Sequence, residues 1–282
     1  MAPTSPSAAR LPVAVIGGGG IGRMHGERLL RHAECSLAGI ADPSDAARAW
    51  AEARGVPWAA DAAALIDRVR PGAAIVATPN DTHTDMGLLC VERRLPALIE
   101  KPVAHTVASA RVLAEAAHAA GVPMVVGHQR RHNAAVQRAR RLIREGALGR
   151  IVAVSMLATW FKPAPYFDTA WRRSKGGGPV LINAIHDIDL LRFLVGEITE
   201  VHAFTSNAER GFEVEDNAAA VLRLAGGALA TLNVCDCAVA PWNYDLASGE
   251  SELYAKQPVN ALHIAGSEGA LGAQITGLAA RY

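Results

Sequence analysis

The chain has few cysteines, no long apolar segment and almost no net charge. Its 282 residues include 4 cysteines, and 28 lysines and arginines against 27 acidic residues leave a formal net charge of +1. Scattered cysteines without C-x-x-C pairs exclude a disulfide framework and a structural zinc site, so no bound metal is expected. A nearly neutral chain also has no overall positive field with which to attract nucleic acid or an anionic membrane surface.

A membrane-spanning helix needs a run of about 18 or more apolar residues, and the chain has none. Residues 1–10 are rich in alanine, proline, serine and threonine and lack the apolar stretch of a signal peptide, which predicts a disordered arm. We therefore expect a cytoplasmic protein whose partner is neither a membrane nor a nucleic acid. A small-molecule partner fits this composition better.

What the chain does have is ordinary globular composition in enough length for two domains. Half of its residues are hydrophobic and a fifth are charged, which excludes extended disorder. Single hydrophobic cores stop growing at about 250–300 residues, so two cores are the natural division. We place the first domain at 11–127 and the second, for substrate binding and oligomerisation, at 128–282.

Residues 11–127 alternate short apolar strands with helices. Ser44 and Thr106 are expected to be helix N-caps, and Gly55 and Gly121 occupy positions typical of helix C-termini. This alternation predicts an α/β fold, a Rossmann-type doubly wound parallel sheet. The predicted strands are Pro12–Ile16, Ser36–Ala41, Ala73–Ala77, Ala97–Ile99 and Met124–Val126.

The first predicted strand runs directly into a glycine-rich turn that precedes a helix. The turn reads Gly17, Gly18, Gly19, Gly20, Ile21, Gly22 and fits G-x-G-x-x-G. Gly17 permits a tight turn, Gly19 lets the backbone approach a pyrophosphate, and Gly22 allows close packing of helix on strand. A flexible linker is the alternative, but linkers are not normally bracketed by an apolar strand and an amphipathic helix.

Asp42 ends the second predicted strand, at the distance from the glycine turn where an acid can bind both ribose hydroxyls of adenosine. A carboxylate there repels a 2′-phosphate, and Pro43 and Ser44 offer no cation to neutralise one. The predicted cofactor is therefore NAD rather than NADP. The alternative role for Asp42 is to cap the turn that follows it.

The second half loses the alternation. A helix around Asn133–Glu145 precedes strands that follow one another without long helices between them, which predicts an α+β domain with a mostly antiparallel sheet. One long helix, opened by Pro179 and closed near Gly196, stands apart from them. The strands are expected at Ile151–Ala158, Val201–Thr205, Ala218–Leu224, Ala228–Val234 and Ala261–Ala265.

Two further segments complete a pattern that resembles a known family. One is Thr78-Pro79-Asn80-Asp81-Thr82-His83 and the other is Glu100-Lys101-Pro102, each after a strand of the predicted parallel sheet. With the glycine turn they resemble the Gfo/Idh/MocA oxidoreductases over about residues 11–271. The resemblance implies that Thr78, Pro79 and Asn80 line the nicotinamide side of the cofactor, and that Glu100 and Lys101 meet the nicotinamide ribose and the substrate oxygen.

His83 is grouped with the cofactor-binding residues of that segment, although capping or packing the following helix is the role we favour for it. Lys101 precedes a proline and is therefore expected to be extended, so that its ammonium can point across the cleft, a surface lysine being the alternative.

The long helix carries polar residues in an apolar run. Asn183 and His186 are three residues apart, and a buried histidine is costly unless it is hydrogen-bonded. A histidine that only packs in the core is the alternative, but we favour a functional role for His186. The stretch resembles the family's catalytic helix, in which a histidine follows an acid by one turn. Here Ile182 stands where many members carry aspartate, so the acid–base groups reduce to Lys101 and His186, with Asn183 to orient the substrate.

Further substrate contacts are expected from Arg172 and Gln129. Trp171-Arg172 resembles the family's Trp-Arg element, and Arg172 could clamp a carboxylate or hydroxyls, a solvated loop being the alternative. Gln129 lies with Arg130 and Arg131 at the crossover between the predicted domains, and the individual roles of the two arginines stay open.

The leading function is NAD-dependent oxidation of a secondary alcohol or hemiacetal in a sugar, cyclitol or related polyol. His186 accepts the hydroxyl proton, Lys101 stabilises the alkoxide and the hydride passes to nicotinamide. A regulatory protein that senses sugar or NAD is the first alternative, but it need not keep these groups. An NAD-dependent glycosidase is the second, and it would show no net cofactor reduction.

The end of the chain generates a prediction about self-association. The segment Gly266–Leu271 resembles one that, in the family, is ordinarily followed by several dozen further residues. We therefore expect an exposed apolar edge on the second sheet, which a homodimer or homotetramer would cover. Light scattering over a dilution series, with a dye for exposed apolar surface, measures it. A stable monomer that binds no dye would contradict both steps.

Overall fold

The computed structural model describes residues 9–250 and 255–272. The chain divides into two compact units, Met1–Gly127 and His128–Tyr282, and each contains its own six-stranded sheet. No helix in the described ranges is both long enough and apolar enough to cross a bilayer.

The first unit is a parallel sheet in the order β3-β2-β1-β4-β5-β6. Its strands are β1 Leu11–Ile16, β2 Cys35–Ala41, β3 Trp58–Ala59, β4 Ala73–Val76, β5 Ala97–Ile99 and β6 Met124–Val126. Its helices are α1 Gly20–Arg31, α2 Asp45–Glu52, α3 Ala62–Val69, α4 His83–Glu92 and α5 Val107–Ala120. This strand order is that of the Rossmann fold, which confirms the predicted fold class.

Side-chain caps fix where these helices begin. The Ser44 hydroxyl accepts the amide of Ala47, and Thr106 and Ser109 form a reciprocal capping box at the start of α5. Gly121, in the left-handed conformation at φ 64°, ends α5. All five predicted strands are present within a residue of their expected ends, whereas the two-residue β3 was missed because it is too short to show periodicity.

The second unit is a mostly antiparallel sheet in the order β12-β11-β7-β10-β9-β8, in which only the central β7–β10 pair is parallel. Its strands are β7 Ile151–Thr159, β8 Ile198–Ser206, β9 Asn217–Leu224, β10 Leu229–Cys235, β11 Leu262–Gly266 and β12 Ala270–Gly272. Its helices are α6 Ala134–Arg144, α7 Ile185–Leu194 and α8 Tyr244–Ser248. Inward-facing residues of the sheet pack with α6 and α7 into one core.

The predicted continuous helix from Pro179 to Gly196 is wrong in its first turns. Val180–Ala184 is π-helical and only then does α7 begin. The Glu215 carboxylate accepts the amide of Val180 at 3.0 Å and so caps the start of this segment. A π-turn takes more residues per turn than an α-helix, so the three-residue spacing no longer places Asn183 over His186 as a regular helix would.

The edge strand β8 leaves apolar side chains in solvent. Val201 is 58% exposed and Phe204 is 87% exposed, and Val221 on the neighbouring β9 is 51% exposed. An edge strand of this kind carries unpaired backbone groups beside exposed apolar surface. Residues 273–282, on which the self-association argument also draws, lie outside the described ranges, and the oligomeric state stays a prediction.

Candidate functional site

The glycine turn joins β1 to α1 by backbone packed directly on backbone. A side chain at Gly22 would place its Cβ 1.8 Å from the carbonyl oxygen of Gly17, and one at Gly17 would meet the carbonyl of Ala77 at 2.5 Å. Gly17 also has a φ of 101°, which other residues rarely adopt. Two of the glycines therefore permit close packing, and Gly17 lies against the chain that leaves β4.

The middle of the same turn is open. A Cβ built on Gly19 or Gly20 meets no atom within 4 Å, and Ile21 is 50% exposed. The amides at the start of α1 face this space, and a helix N-terminus favours phosphate. Because β1 and β4 are the strands at which the sheet order reverses, the opening lies at the topological switch point where dinucleotides bind. The residues present fit the pyrophosphate of NAD.

Asp42 is bound to the glycine turn itself. One carboxylate oxygen accepts the amide of Gly18 at 2.7 Å and the other accepts the amide of Ser44 at 2.9 Å. Burial of the carboxylate opposes ionisation, but these hydrogen bonds, that of the Ser44 hydroxyl and the charge of Arg23 hold the pKa of Asp42 below its ordinary value. Asp42 thus caps the turn that follows it, which was the alternative role considered from the sequence. It is also an ionised hydrogen-bond acceptor beside the glycine turn.

Arg23 was not singled out from the sequence. Its Nε donates to the Gly18 carbonyl at 2.8 Å, so a guanidinium lies beside the turn that Asp42 also binds. Arg23 precedes Asp42 by most of a helix and a strand, so it lies outside the segment after Asp42 in which a cation for a 2′-phosphate is expected. Arg23 lies one helical turn after Gly19, and this spacing is the sequence signal that could have indicated its contact with the glycine turn.

The segment after β4 forms a short 3₁₀ turn, Asn80–Thr82, that leads into α4. Thr78 is half-buried and its hydroxyl accepts that of Thr82 at 2.8 Å, while Pro79 is exposed. These residues lie at the carboxyl edge of the parallel sheet, where ligands of such sheets bind.

His83 does not present a ring nitrogen to a cofactor. It is only 1% exposed, and its Nδ1 and Nε2 lie 2.7 and 2.9 Å from the backbone oxygens of Pro102 and Thr78. The sequence-based grouping of His83 with the cofactor ligands is therefore corrected. The ring links the two motif segments to each other, in keeping with the packing role that we favoured.

Glu100 is engaged by a histidine that the sequence analysis missed. His25 of α1 places Nε2 2.8 Å from Oε1 of Glu100, and the second carboxylate oxygen accepts the amide of Lys101 at 3.3 Å. Burial of Glu100 opposes ionisation, yet His25 and Lys101 hold the pKa of this carboxyl below its ordinary value. No local pattern reveals the His25–Glu100 pair, since 75 residues separate the two.

In the second unit, α7 carries a buried group of ionisable residues. His186, Asp187 and Asp189 are 7, 4 and 5% exposed. Arg130 binds Asp187 with Nη1 at 3.0 Å, and Arg131 binds Asp189 with Nε at 2.7 Å. The two arginines thus neutralise two of the acids on the helix that bears His186. This gives Arg130 and Arg131 the roles that the sequence left open.

His128 is a second residue that sequence reasoning missed. Its ring stands edge-on to that of His186, with centroids 6.2 Å apart, and its Nε2 lies 3.7 Å from Asp189. In the sequence, His128 is notable only as the neighbour of the Gln129–Arg131 segment. Its contacts on α7 are far away along the chain, so no local pattern connects them.

The remaining predicted substrate residues lie in different surroundings. Gln129 is exposed, Asn183 is half-buried in the π-helical turn, and Ile182 is buried. Arg172 is not a solvated loop residue, because its guanidinium stacks 4.0 Å from the Tyr166 ring and donates to the Tyr166 carbonyl at 2.6 Å. Asn183 stays a candidate substrate residue, although it does not share with His186 the regular helical face for which it was proposed.

The fold and the turn together define a class of protein. A parallel sheet in Rossmann order with an open glycine turn at its switch point is a dinucleotide-binding domain, followed here by an α+β domain. Residues 11–128 match the model described as "Oxidoreductase family, NAD-binding Rossmann fold", and residues 136–272 match the "GFO/IDH/MocA C-terminal domain". The chain belongs to the GFO/IDH/MocA oxidoreductase family, and its first unit is the family's NAD-binding domain.

Curated relatives include dehydrogenases of polyols. Inositol 2-dehydrogenase of Rubrobacter xylanophilus is 34% identical over 234 residues, which is 79% of this chain and 64% of that protein. The rhizopine catabolism protein MocA of Rhizobium meliloti is 29% identical over 188 residues, 67% of this chain and 58% of that protein. The chain thus spans about three fifths of the length of these relatives.

Solved structures share the fold. The WlbA dehydrogenase from Bordetella pertussis, in complex with NADH and UDP-GlcNAcA, superposes with a TM-score of 0.83 at 26% identity, covering 96% of this chain and 80% of that one. For myo-inositol 2-dehydrogenase from Lactobacillus plantarum the TM-score is 0.79 at 21% identity, with 93% and 76% covered, which shows the likeness of the fold alone.

The geometry of the glycine turn predicts that one substitution there weakens NAD binding and another lowers thermal stability. Gly19→Ala places a methyl group in the open space, so the thermal unfolding midpoint should stay unchanged while NAD binding weakens about 10-fold or more, since backbone approach to the pyrophosphate is lost. Gly22→Ala should lower the midpoint because its Cβ overlaps the Gly17 carbonyl. Calorimetry and thermal unfolding measure the two effects.

The matched control is Gly226→Ala, in the second unit, where a Cβ also meets nothing within 4 Å. It should alter neither quantity. NAD affinity equal to that of the wild type in Gly19→Ala would show that the opening is not the pyrophosphate site.

Proposed function

We propose that this protein is an NAD-dependent oxidoreductase that moves a hydride between NAD and a secondary alcohol or hemiacetal carbon of a sugar, cyclitol or related polyol. The observation that carries the proposal is the arrangement at one sheet edge, where the open glycine turn follows β1 and Lys101 follows β5. Ligands of open parallel sheets bind at this edge. Relatives named as inositol, apiose and levoglucosan dehydrogenases support the substrate class.

The proposed chemistry uses two proton-bearing side chains. His186 accepts the proton of the substrate hydroxyl, and the Lys101 ammonium stabilises the negative charge that develops on that oxygen. The hydroxyl oxygen thus loses a proton and the carbon that bears it loses a hydride, which leaves a carbonyl; bound NAD would supply the hydride acceptor. A histidine has an ordinary pKa near 6.5 and suits this exchange at neutral pH.

Other residues hold the reactants. Thr78, Pro79 and Asn80 are assigned to the nicotinamide side of the cofactor, and Asp42 to the ribose hydroxyls of adenosine. Gln129, Asn183 and Arg172 are assigned to substrate hydroxyls, and contacts of this kind decide which sugar is accepted.

Glu100 is assigned to the nicotinamide ribose and also to holding Lys101. One of its oxygens lies beside Nε2 of His25 and the other accepts the Lys101 amide, which fixes the carboxylate beside the lysine. Each carboxylate oxygen keeps a second lone pair with which it can accept a ribose hydroxyl.

The test is a screen of the purified protein with NAD against sugars, cyclitols and hydroxy acids, followed at the absorbance of reduced nicotinamide. Net reduction of NAD by a polyol supports a dehydrogenase. A sugar whose glycosidic bond is cleaved without net reduction points to a glycosidase. Binding of NAD and sugar without any turnover points to a regulatory protein.

We predict a preference for NAD over NADP. The Asp42 carboxylate, fixed by Gly18 and Ser44, can accept both ribose hydroxyls and repels a 2′-phosphate. Asp42→Ala should narrow the preference, and calorimetry with each nucleotide measures it. If the wild type binds NADP as tightly as NAD or more tightly, the predicted preference for NAD is wrong.

We also predict that Lys101→Ala and His186→Ala each lower kcat by about 10²–10⁴-fold, the usual contribution of a general acid or base. NAD affinity should stay within a few-fold, because both side chains act on the substrate oxygen. Steady-state kinetics and NAD calorimetry measure the split. Near wild-type turnover in His186→Ala would return this histidine to a structural role.

A further inference from the structure

Lys101 lies between two residues that are each held by a histidine from a different helix. On its N-terminal side, Glu100 receives His25 of α1, with Nε2 to Oε1 at 2.8 Å. On its C-terminal side, the carbonyl of Pro102 lies 2.7 Å from Nδ1 of His83 at the start of α4. Both contacts lie inside the first unit.

The Glu100 contact leaves that carboxylate little freedom. The side chains of His25 and Glu100 are 16% and 18% exposed, and the second carboxylate oxygen accepts the Lys101 amide. A Cβ on Gly127 would lie only 3.0 Å from that oxygen, so the carboxylate is packed against the end of β6. Glu100 can leave this position only by losing the His25 bond.

The His83 ring is likewise held through both of its nitrogens. The ring is buried, and its second nitrogen lies 2.9 Å from the Thr78 carbonyl. Both neighbours are backbone carbonyl oxygens, one beside each ring nitrogen. His83 therefore ties the chain after Lys101 to the chain after β4.

We infer that His25 and His83 are positioning residues for Lys101, holding the main chain on either side of the lysine. His25 also joins the lysine to α1, the helix that begins at the glycine turn, so the phosphate end of the cofactor site and the substrate lysine share one rigid support. The inference rests on the proposed function only in taking Lys101 as the group that meets substrate.

The expected size of the effect follows from geometry. A lysine side chain has four rotatable bonds, so its ammonium is placed only if its Cα is fixed. Misplacement of a reacting group by about 1 Å can cost on the order of 100-fold in rate. Loss of the His25 bond should therefore lower kcat on the order of 10- to 100-fold and leave NAD affinity within a few-fold.

The test uses two substitutions and one control. His25→Gln keeps an N–H donor near the position of Nε2, whereas His25→Leu removes it. His118→Leu is the control, because His118 is an exposed histidine near the end of α5. Should the leucine variant fail to fold, His25→Asn replaces it, since its shorter amide cannot reach Glu100.

The main readout needs no substrate. The chain has four lysines, Lys101, Lys162, Lys175 and Lys256, so reductive methylation with ¹³C gives a simple NMR spectrum in which Lys101→Arg identifies the Lys101 signal. His25→Leu should shift the Lys101 signal and change its titration, His25→Gln should restore most of both, and His118→Leu should change neither. His83→Gln should also move this signal, because one amide cannot span both carbonyls.

Steady-state kinetics on the same variants supply the second readout. A fall in kcat for His25→Leu with recovery in His25→Gln supports the inference. A Lys101 signal unchanged in His25→Leu, or equally displaced in the glutamine and leucine variants, would overturn it. If no substrate is turned over by the wild type, the proposed function fails, and the NMR result still decides whether the histidines position Lys101.

Discussion

The close contact of backbone on backbone in the turn between β1 and α1 is the constraint on which the first unit depends. Only glycine fits at Gly17 and Gly22, because any Cβ there would overlap a carbonyl group. The same turn leaves Gly19 open at the helix N-terminus and offers the amide of Gly18 to Asp42. One local packing requirement thus sets the turn from strand to helix, which is open at Gly19 and bound to Asp42 at Gly18.

Around that turn, polar side chains are hydrogen-bonded within the protein rather than left to water. His25 holds Glu100, and His83 joins the backbones of Thr78 and Pro102. The His25–Glu100 and His83–Pro102 contacts connect segments that follow different strands, so the loops at the carboxyl edge support one another. Loops usually vary in conformation more than strands do, and links of this kind are what allow a loop residue such as Lys101 to be placed accurately.

The second unit applies the same principle inside its core. Arg130 and Arg131 neutralise Asp187 and Asp189 on α7, and the rings of His128 and His186 meet edge to face. Buried ion pairs contribute little net stability, because desolvation offsets their attraction, but breaking one leaves an uncompensated charge. Their consequence here is geometric, since they fix the turn of α7 that carries His186.

The sequence by itself determined the features that depend on neighbours along the chain: the five main strands of the parallel sheet, the caps Ser44 and Thr106, the glycine turn and Asp42. Periodicity, capping and steric demands act over a few residues and can be read directly. Tertiary structure alone decided the two-residue β3, the π-helical turn before His186 and the partners of His25, His83 and His128. These depend on pairings between distant segments, and no local pattern encodes which buried charge or ring nitrogen will find which acceptor once the sheet has assembled.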